Sequence, residues 1–243
     1  MNRGSRPMTY RFGKPHGLLL FSAVLLLFLS LPLGSASAAV VLLDPGHGGK
    51  DPGVKISGSL SEAAFTLEIA KNVEKRLKGG KNLKVVLTRS GDDDLSLDAR
   101  LKAMEREKPD LFVSLHVNAG FDRKASGFEV YYLGFGGTPE APADGGAIAR
   151  DMVKNKVLNE SNRFGQIVLK HLDPQFPRGN RNLRDAPMVV FQNPSTPAVL
   201  IEMGFTTNQE DRKRLQDPNF PKAIAEAIAS AIEEFAGAPG GKP

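Results

Sequence analysis

The chain has 243 residues, 41% of them hydrophobic and 24% charged, a size and balance that suit one globular domain with a true core and a short appendage. It contains no cysteine, which excludes disulfides, thiolate metal sites and a cysteine nucleophile. The 32 basic and 27 acidic residues sum to +5, but four of the basic ones lie in the first 38 residues; the remainder holds 28 against 27, a net +1, so the charge gives no argument for nucleic acid.

Residues 1–38 read as a secretory signal peptide. Arg3, Arg6, Arg11 and Lys14 form a basic start, Leu18 to Leu33 is an almost unbroken apolar run, and Ala36-Ser37-Ala38 offers an A-x-A cleavage site. The alternative is an uncleaved anchor. Either way the expected location is exported, in the periplasm or at the cell exterior and wall, with membrane contact only through this segment.

The domain is expected over 39–236, with 237–243 as a flexible tail. Four aliphatic residues, Val40 to Leu43, predict a buried strand that runs into a turn of glycines and prolines around His47. Phe65, Ile69, Val73 and Leu77 recur every four residues and predict a helix from Ser59 to Lys78, ended by Gly79-Gly80. Leu83 to Leu87 is the next strand, followed by Thr88-Arg89 and the acidic loop Asp92 to Asp94. Leu95 to Lys108 is a second helix, stopped by Pro109. Asp110 to Gly120 and Phe128 to Leu133 are strands three and four. Gly134 to Gly146 is loose. Two helices are expected next, Ile148 to Leu158 and Glu160 to Leu172, then a loop from Asp173 to Asp185. Met188 to Phe191 and Ala198 to Ile201 are short strands, and helices near Gln209 to Leu215 and Phe220 to Phe235 close the chain. Alternating strands and helices predict a single-domain α/β fold with a mixed, mainly parallel sheet flanked by helices; strand four follows strand three too closely for a helical crossover.

His47 and His116 each sit where an apolar strand ends among small residues, and ligands in such sheets bind at the carboxyl ends of strands. If strands one and three are parallel neighbours, both imidazoles reach one rim. The alternative for His116 is a satisfied core histidine. Glu62 opens the helix returning from the glycine turn, which places it near His47; the alternative is a capping box, Ser59-Leu60-Ser61-Glu62. Two histidines and a glutamate form a His₂Glu set that leaves a position for water. Glu202 follows a buried strand and can serve as a general base; the alternative is a glutamate paired with an arginine of the 178–184 loop. His171 lies in the last turn of a helix, where a cation suits the dipole. The glycine turn matches neither a phosphate loop nor G-x-G-x-x-G, and Ser114 lacks a nucleophile elbow.

Leu43-Asp-Pro-Gly-His47-Gly-Gly, Ser61-Glu62, Thr88-Arg89, Ser114-Leu-His116-Val-Asn118-Ala and Ile201-Glu202-Met-Gly-Phe-Thr-Thr-Asn208 succeed one another in this order. Together they resemble the catalytic domain of bacterial zinc-dependent N-acetylmuramoyl-L-alanine amidases of type 3, over essentially all of Val40 to Phe235. The resemblance implies that His47, Glu62 and His116 bind zinc, that Glu202 is the catalytic glutamate, and that Asn118 and Arg178 are substrate-binding. It also implies peptidoglycan as substrate, cut at the amide between N-acetylmuramic acid and L-alanine of the stem peptide. A zinc peptidase acting within the stem, or a non-catalytic envelope-binding protein of the same fold, are the alternatives. No LysM-like wall-binding repeat is recognisable. The segment 134–158 is shorter than the regulatory insertion of amidases that wait for an envelope activator protein, which leaves a short gating helix there as the alternative to no autoinhibition.

Overall fold

The computed structural model describes Met1 and residues 38–80, 82–121, 123–134, 147–177, 179–188 and 195–237, with the side chains of 147–150 excepted. Residues Ala38–Pro243 form one compact unit. Residues 2–37 of the expected export segment, Arg178 and residues 135–146 of the gating segment lie outside the described residues, as do 238–243 of the expected tail.

The chain runs β1 (Ala39–Pro45), α1 (Glu62–Leu77), β2 (Leu83–Leu87), α2 (Leu97–Glu107), β3 (Leu111–Asn118), β4 (Gly127–Tyr132), α3 (Ala147–Leu172), β5 (Asn180–Asp185), β6 (Ala198–Phe205), α4 (Gln209–Leu215) and α5 (Phe220–Gly237). Six strands make one sheet in the order β2-β1-β3-β6-β4-β5. The first four positions are mutually parallel, β4 runs antiparallel to β6, and β5 runs parallel to β4. The mixed sheet is therefore as expected, and β1 and β3 are the parallel neighbours that the histidine reading requires.

Strand alternation sorts side chains to two faces. Val41, Leu43, Val113, Leu115, Val199, Ile201 and Met203 point into the large core, where Phe65, Ile69 and Val73 of α1, Phe164 and Val168 of α3, and Ile224, Ile228 and Ile232 of α5 meet them. The opposite face holds a smaller cluster in which Leu42, Phe112, Ala198 and Leu200 pack with Ala103 and Met104 of α2. Asp44, Ser114, His116 and Glu202 share the alternation of that second face, which the helices cover less. No described helix is long and apolar enough to cross a membrane.

Three expectations are corrected. The two helices expected between 148 and 172 are a single helix, α3. No glycine or proline interrupts Asn159-Glu160-Ser161, and the Ser161 hydroxyl donates to the Val157 carbonyl (2.9 Å) while accepting from the Ala198 N–H (3.0 Å), so the polar residue is absorbed without a break. The expected loop from Asp173 to Asp185 contains an edge strand, β5, whose sequence NRNLRD has no apolar alternation to betray it; charged edges of this kind resist further strand pairing. Met188 is not in a strand, and 189–191 of that expected strand lie outside the described residues.

Candidate active site

The turn after β1 is held by two arginines. Arg89 donates from Nε to the Pro45 carbonyl (3.0 Å) and from Nη2 to those of Gly46 and Ala63 (both 2.8 Å). Arg100, from α2, donates to the Pro45 carbonyl (3.1 Å) and the His47 carbonyl (2.8 Å). Its charge is met by Asp44, which also accepts from the Thr88 hydroxyl (2.6 Å) and the Ser114 hydroxyl (3.0 Å). Three successive carbonyls are thus pinned from below, and His47 is held at φ 59°, a left-handed conformation that a non-glycine residue adopts at a cost. Two glycines make the close approach possible. A Cβ on Gly46 would lie 2.4 Å from the His116 ring, and one on Gly53, at φ +65°, would lie 2.5 Å from Glu62 Oε2.

Three side chains converge above this turn. Glu62 Oε1 lies 3.1 Å from His47 Nε2 and 3.0 Å from His116 Nδ1, and all their donor atoms fall within 4.8 Å of one another. His47 donates from Nδ1 to Asp51 (2.7 Å), which turns Nε2 toward the group, the outer-shell arrangement typical of metal-binding histidines. The two rings stand 5.0 Å apart at 78°. Glu62 also accepts from the N–H groups of Val54 and Val117 (both 2.9 Å). The capping alternative for Glu62 is overturned. Ser61, not Ser59, caps α1 by accepting from the Ala64 N–H, and Glu62 is the first helical residue with its carboxylate turned away into the site. His116, partly exposed, has Glu62 as its partner.

Burial pushes the Glu62 carboxyl upward, but the two imidazoles and two N–H donors outweigh it and hold it at about 2. Its hydrogen bond to His47, against partial burial and with help from Asp51, lifts that imidazole to about 9. A carboxylate between two imidazoles in a pocket whose glycines leave room is a donor set that fits a divalent metal ion.

Glu202 is the direct cross-strand partner of His116. Its Oε2 is buried and has no hydrogen-bond partner among the described residues. Burial raises its carboxyl to about 7, against the pull of His116. The alternative of an arginine partner is not met by the described arginines of that segment: Arg184 pairs with Glu129 (2.7 Å), and Arg181 with Asp173 (2.7 Å). Glu129 is the cross-strand partner of Glu202 on the other side, buried, and bonded also by Tyr131 (2.5 Å) and Asn182 (3.1 Å). An unsatisfied carboxylate so close to a metal-competent group is the arrangement a proton acceptor needs. Asn118 ends β3 beyond a bulge, its carbonyl accepting from the Thr206 N–H (2.8 Å). His171 stays outside the site, paired with Glu234 (2.8 Å).

Sequence reasoning passed over Asp51, Arg100 and Glu129. Asp51 had a usable signal, a carboxylate four residues after His47 across a glycine turn. Glu129 had another, one acidic residue amid Phe128-Glu-Val-Tyr-Tyr132 in a strand apolar on both sides.

The family described as N-acetylmuramoyl-L-alanine amidase matches residues 41–234. The amidase AmiA of Escherichia coli K12 is 33% identical over 224 residues, covering 83% of this chain and 77% of its own length. AmiC of E. coli O6:H1 is 28% identical over 218 residues, covering 81% of this chain, which spans only 52% of that relative's length. Among solved structures, the catalytic domain of the amidase CwlV from Bacillus (Paenibacillus) polymyxa var. colistinus is 33% identical with a TM-score of 0.66, covering 82% of this chain and 98% of that one. The amidase AmiC2 of Nostoc punctiforme is 31% identical with a TM-score of 0.62, at 82% and 98% coverage. On a family match that takes in the sheet, its helices and the whole convergent group, the chain belongs to the N-acetylmuramoyl-L-alanine amidase family.

Proposed function

We propose that the protein is an exported peptidoglycan hydrolase that cuts the amide between N-acetylmuramic acid and the L-alanine of the stem peptide. In this reading His47, Glu62 and His116 hold zinc and Glu202 moves the proton. The observation that carries it is the convergence of the His47–Glu62–His116 donor atoms beside a buried carboxylate oxygen without a partner. When bound, zinc supplies Lewis-acid polarisation of the scissile carbonyl and brings the pKa of the attacking water down to about 7.

The chain's own residues do the rest. Asp51 fixes the His47 tautomer through Nδ1. Arg89 and Arg100 hold the backbone on which His47 stands. Glu202, with its carboxyl raised to about 7 by burial, accepts a proton from the attacking water and later delivers it to the departing L-alanine nitrogen. Glu129, paired with Arg184, adds its charge to the effect of burial in raising the Glu202 carboxyl. Asn118, at the end of β3, and Arg178 are assigned to substrate binding on the strength of the family motif.

Removing the metal with a chelator should abolish release of stem peptides from peptidoglycan, and zinc should restore it. Undiminished activity in the metal-free protein would overturn the reading. Glu202→Gln should retain zinc and lose activity; Glu62→Ala should lose zinc.

A further inference from the structure

Beyond the rim that carries His116 and Glu202, the two strands run on into loops that enclose a cleft of about 660 Å³, lined by Phe121, Arg123, Thr206, Asn208 and Arg212 among others. The cleft has built walls. Asn118 accepts from the Thr206 N–H and hydroxyl, and the Asn208 side chain donates to the Arg123 carbonyl (3.1 Å), so the loop after β3 and the loop after β6 are clipped together. Its charge is one-sided. Glu210 is paired with Lys213 (2.9 Å), whereas neither Arg123 nor Arg212 has a carboxylate partner among the described residues. Phe121 stands fully exposed at the edge, on a chain that buries its other described phenylalanines within the core or close to it. Guanidinium groups without a carboxylate partner among the described residues, on a concave surface beside an exposed ring, match an anionic ligand with an apolar stem.

We propose that this cleft binds the carboxylates of the stem peptide downstream of the scissile amide. The inference rests on the amidase reading for the identity of the substrate. The reach is right. Thr206 lies four residues past Glu202, at most about 13 Å along an extended chain at ~3.3 Å per residue. The third residue of an extended stem lies about 11 Å from the amide that is cut by α-peptide spacing, and somewhat further because the γ-glutamyl link adds two carbons to the path. The lactyl amide itself is uncharged, so a cleft holding two guanidinium groups selects for the residues beyond L-alanine, not for the bond. Arg123 and Arg212 are therefore specificity residues, Phe121 packs along the aliphatic stem, and the catalytic group is untouched by all three.

The test is calorimetric titration of the metal-loaded protein with the tripeptide L-Ala–γ-D-Glu–L-Lys, bearing free carboxylates or the same carboxylates amidated. Neither peptide contains the scissile bond. The free acid should bind, amidation should weaken binding by about three- to tenfold, and an R123Q/R212Q double variant should weaken the free acid by a similar factor while no longer telling the two peptides apart. Phe121→Ala, at a fully exposed position that the fold does not need, should weaken both peptides equally. On an intact muropeptide the double variant should raise KM and leave kcat unchanged. Equal affinity of the wild-type protein for both peptides, or an unchanged R123Q/R212Q variant, overturns the proposal. The two readings fail separately: discrimination between the peptides without amide cleavage removes the amidase alone, and cleavage with KM unmoved in the double variant removes the cleft alone.

Discussion

Metal binding at the His47–Glu62–His116 group should expel a proton at neutral pH, and the structure sets the size of the effect. In the metal-free protein His47 donates from both ring nitrogens, to Asp51 at 2.7 Å and to Glu62 at 3.1 Å, and its pKa is lifted from 6.5 to about 9. At pH 7 it is about 99% protonated. A ligating imidazole must be neutral, so the metal has to displace that proton. Apparent affinity should therefore rise about tenfold per pH unit between pH 7 and 9 and level off above, a span of about 100-fold or ~2.7 kcal/mol. Titrating the metal-free protein with zinc in buffers of different ionisation enthalpy should show about one proton released at pH 7 and far less above pH 9. The linked effect on folding has a definite sign. A raised imidazole pKa contributes stability that is fully present below 6.5 and is lost as pH rises through about 9, at most about 3 kcal/mol for the metal-free form. The depression of Glu62 to about 2 is partly the same interaction seen from its partner and does not add to it. A pH-independent zinc affinity between 7 and 9, with no proton released at pH 7, would refute the reasoning.

Three further outcomes rest on named contacts. Glu202→Gln should leave zinc content intact and lower kcat by about 10²–10⁴-fold. Because burial raises that carboxyl from 4.5 to about 7, it costs the fold stability progressively as pH rises from about 4.5 to about 7 and by a constant amount above, so the same variant should raise the melting temperature of the metal-free protein at pH 8 and much less at pH 4. Arg100→Ala strips the buried Asp44 of its counter-charge and frees the His47 carbonyl; it should cost about 3–5 kcal/mol in denaturant unfolding and weaken zinc binding by about 10–100-fold. Gly53→Ala would force a Cβ within 2.5 Å of Glu62 Oε2 and 2.7 Å of the His47 ring at a positive φ; it should cost about 1–3 kcal/mol and reduce zinc occupancy by metal analysis, where the same change at the open Gly58 should not.

Much of this arrangement is legible in the residues alone. Helix period and strand runs locate α1, α5 and the central strands because their core faces are strongly apolar, and a glycine turn after a buried strand marks His47. Glu62 is ambiguous for a local reason. S-x-x-E is written identically whether the glutamate closes a cap or leaves it, and only the start of α1 at Glu62 shows that Ser61 does the capping. β5 is illegible because a polar edge strand takes its register from β4 and carries no hydrophobic pattern. Glu202 reads correctly as a buried carboxylate, but β6 runs on to Phe205, so it lies within the strand and not at its end; the arginine of the alternative reading belongs to Glu129, since β4 lies between β6 and β5 in the sheet. Strand order of that kind is set by long-range packing that a local pattern does not record. The clamp of Arg89 and Arg100 on three successive carbonyls is hidden likewise, because it joins residues more than forty positions apart.

The most direct test of the central claim is the mass of the products that the metal-loaded protein releases from a purified muropeptide. Hydrolysis at the proposed bond predicts a free stem peptide with L-alanine at its N-terminus and a glycan whose lactyl group ends in a carboxylate, neither of which forms with Glu202→Gln. Shortened peptides still attached to the glycan would contradict it and assign the same metal group to a peptidase.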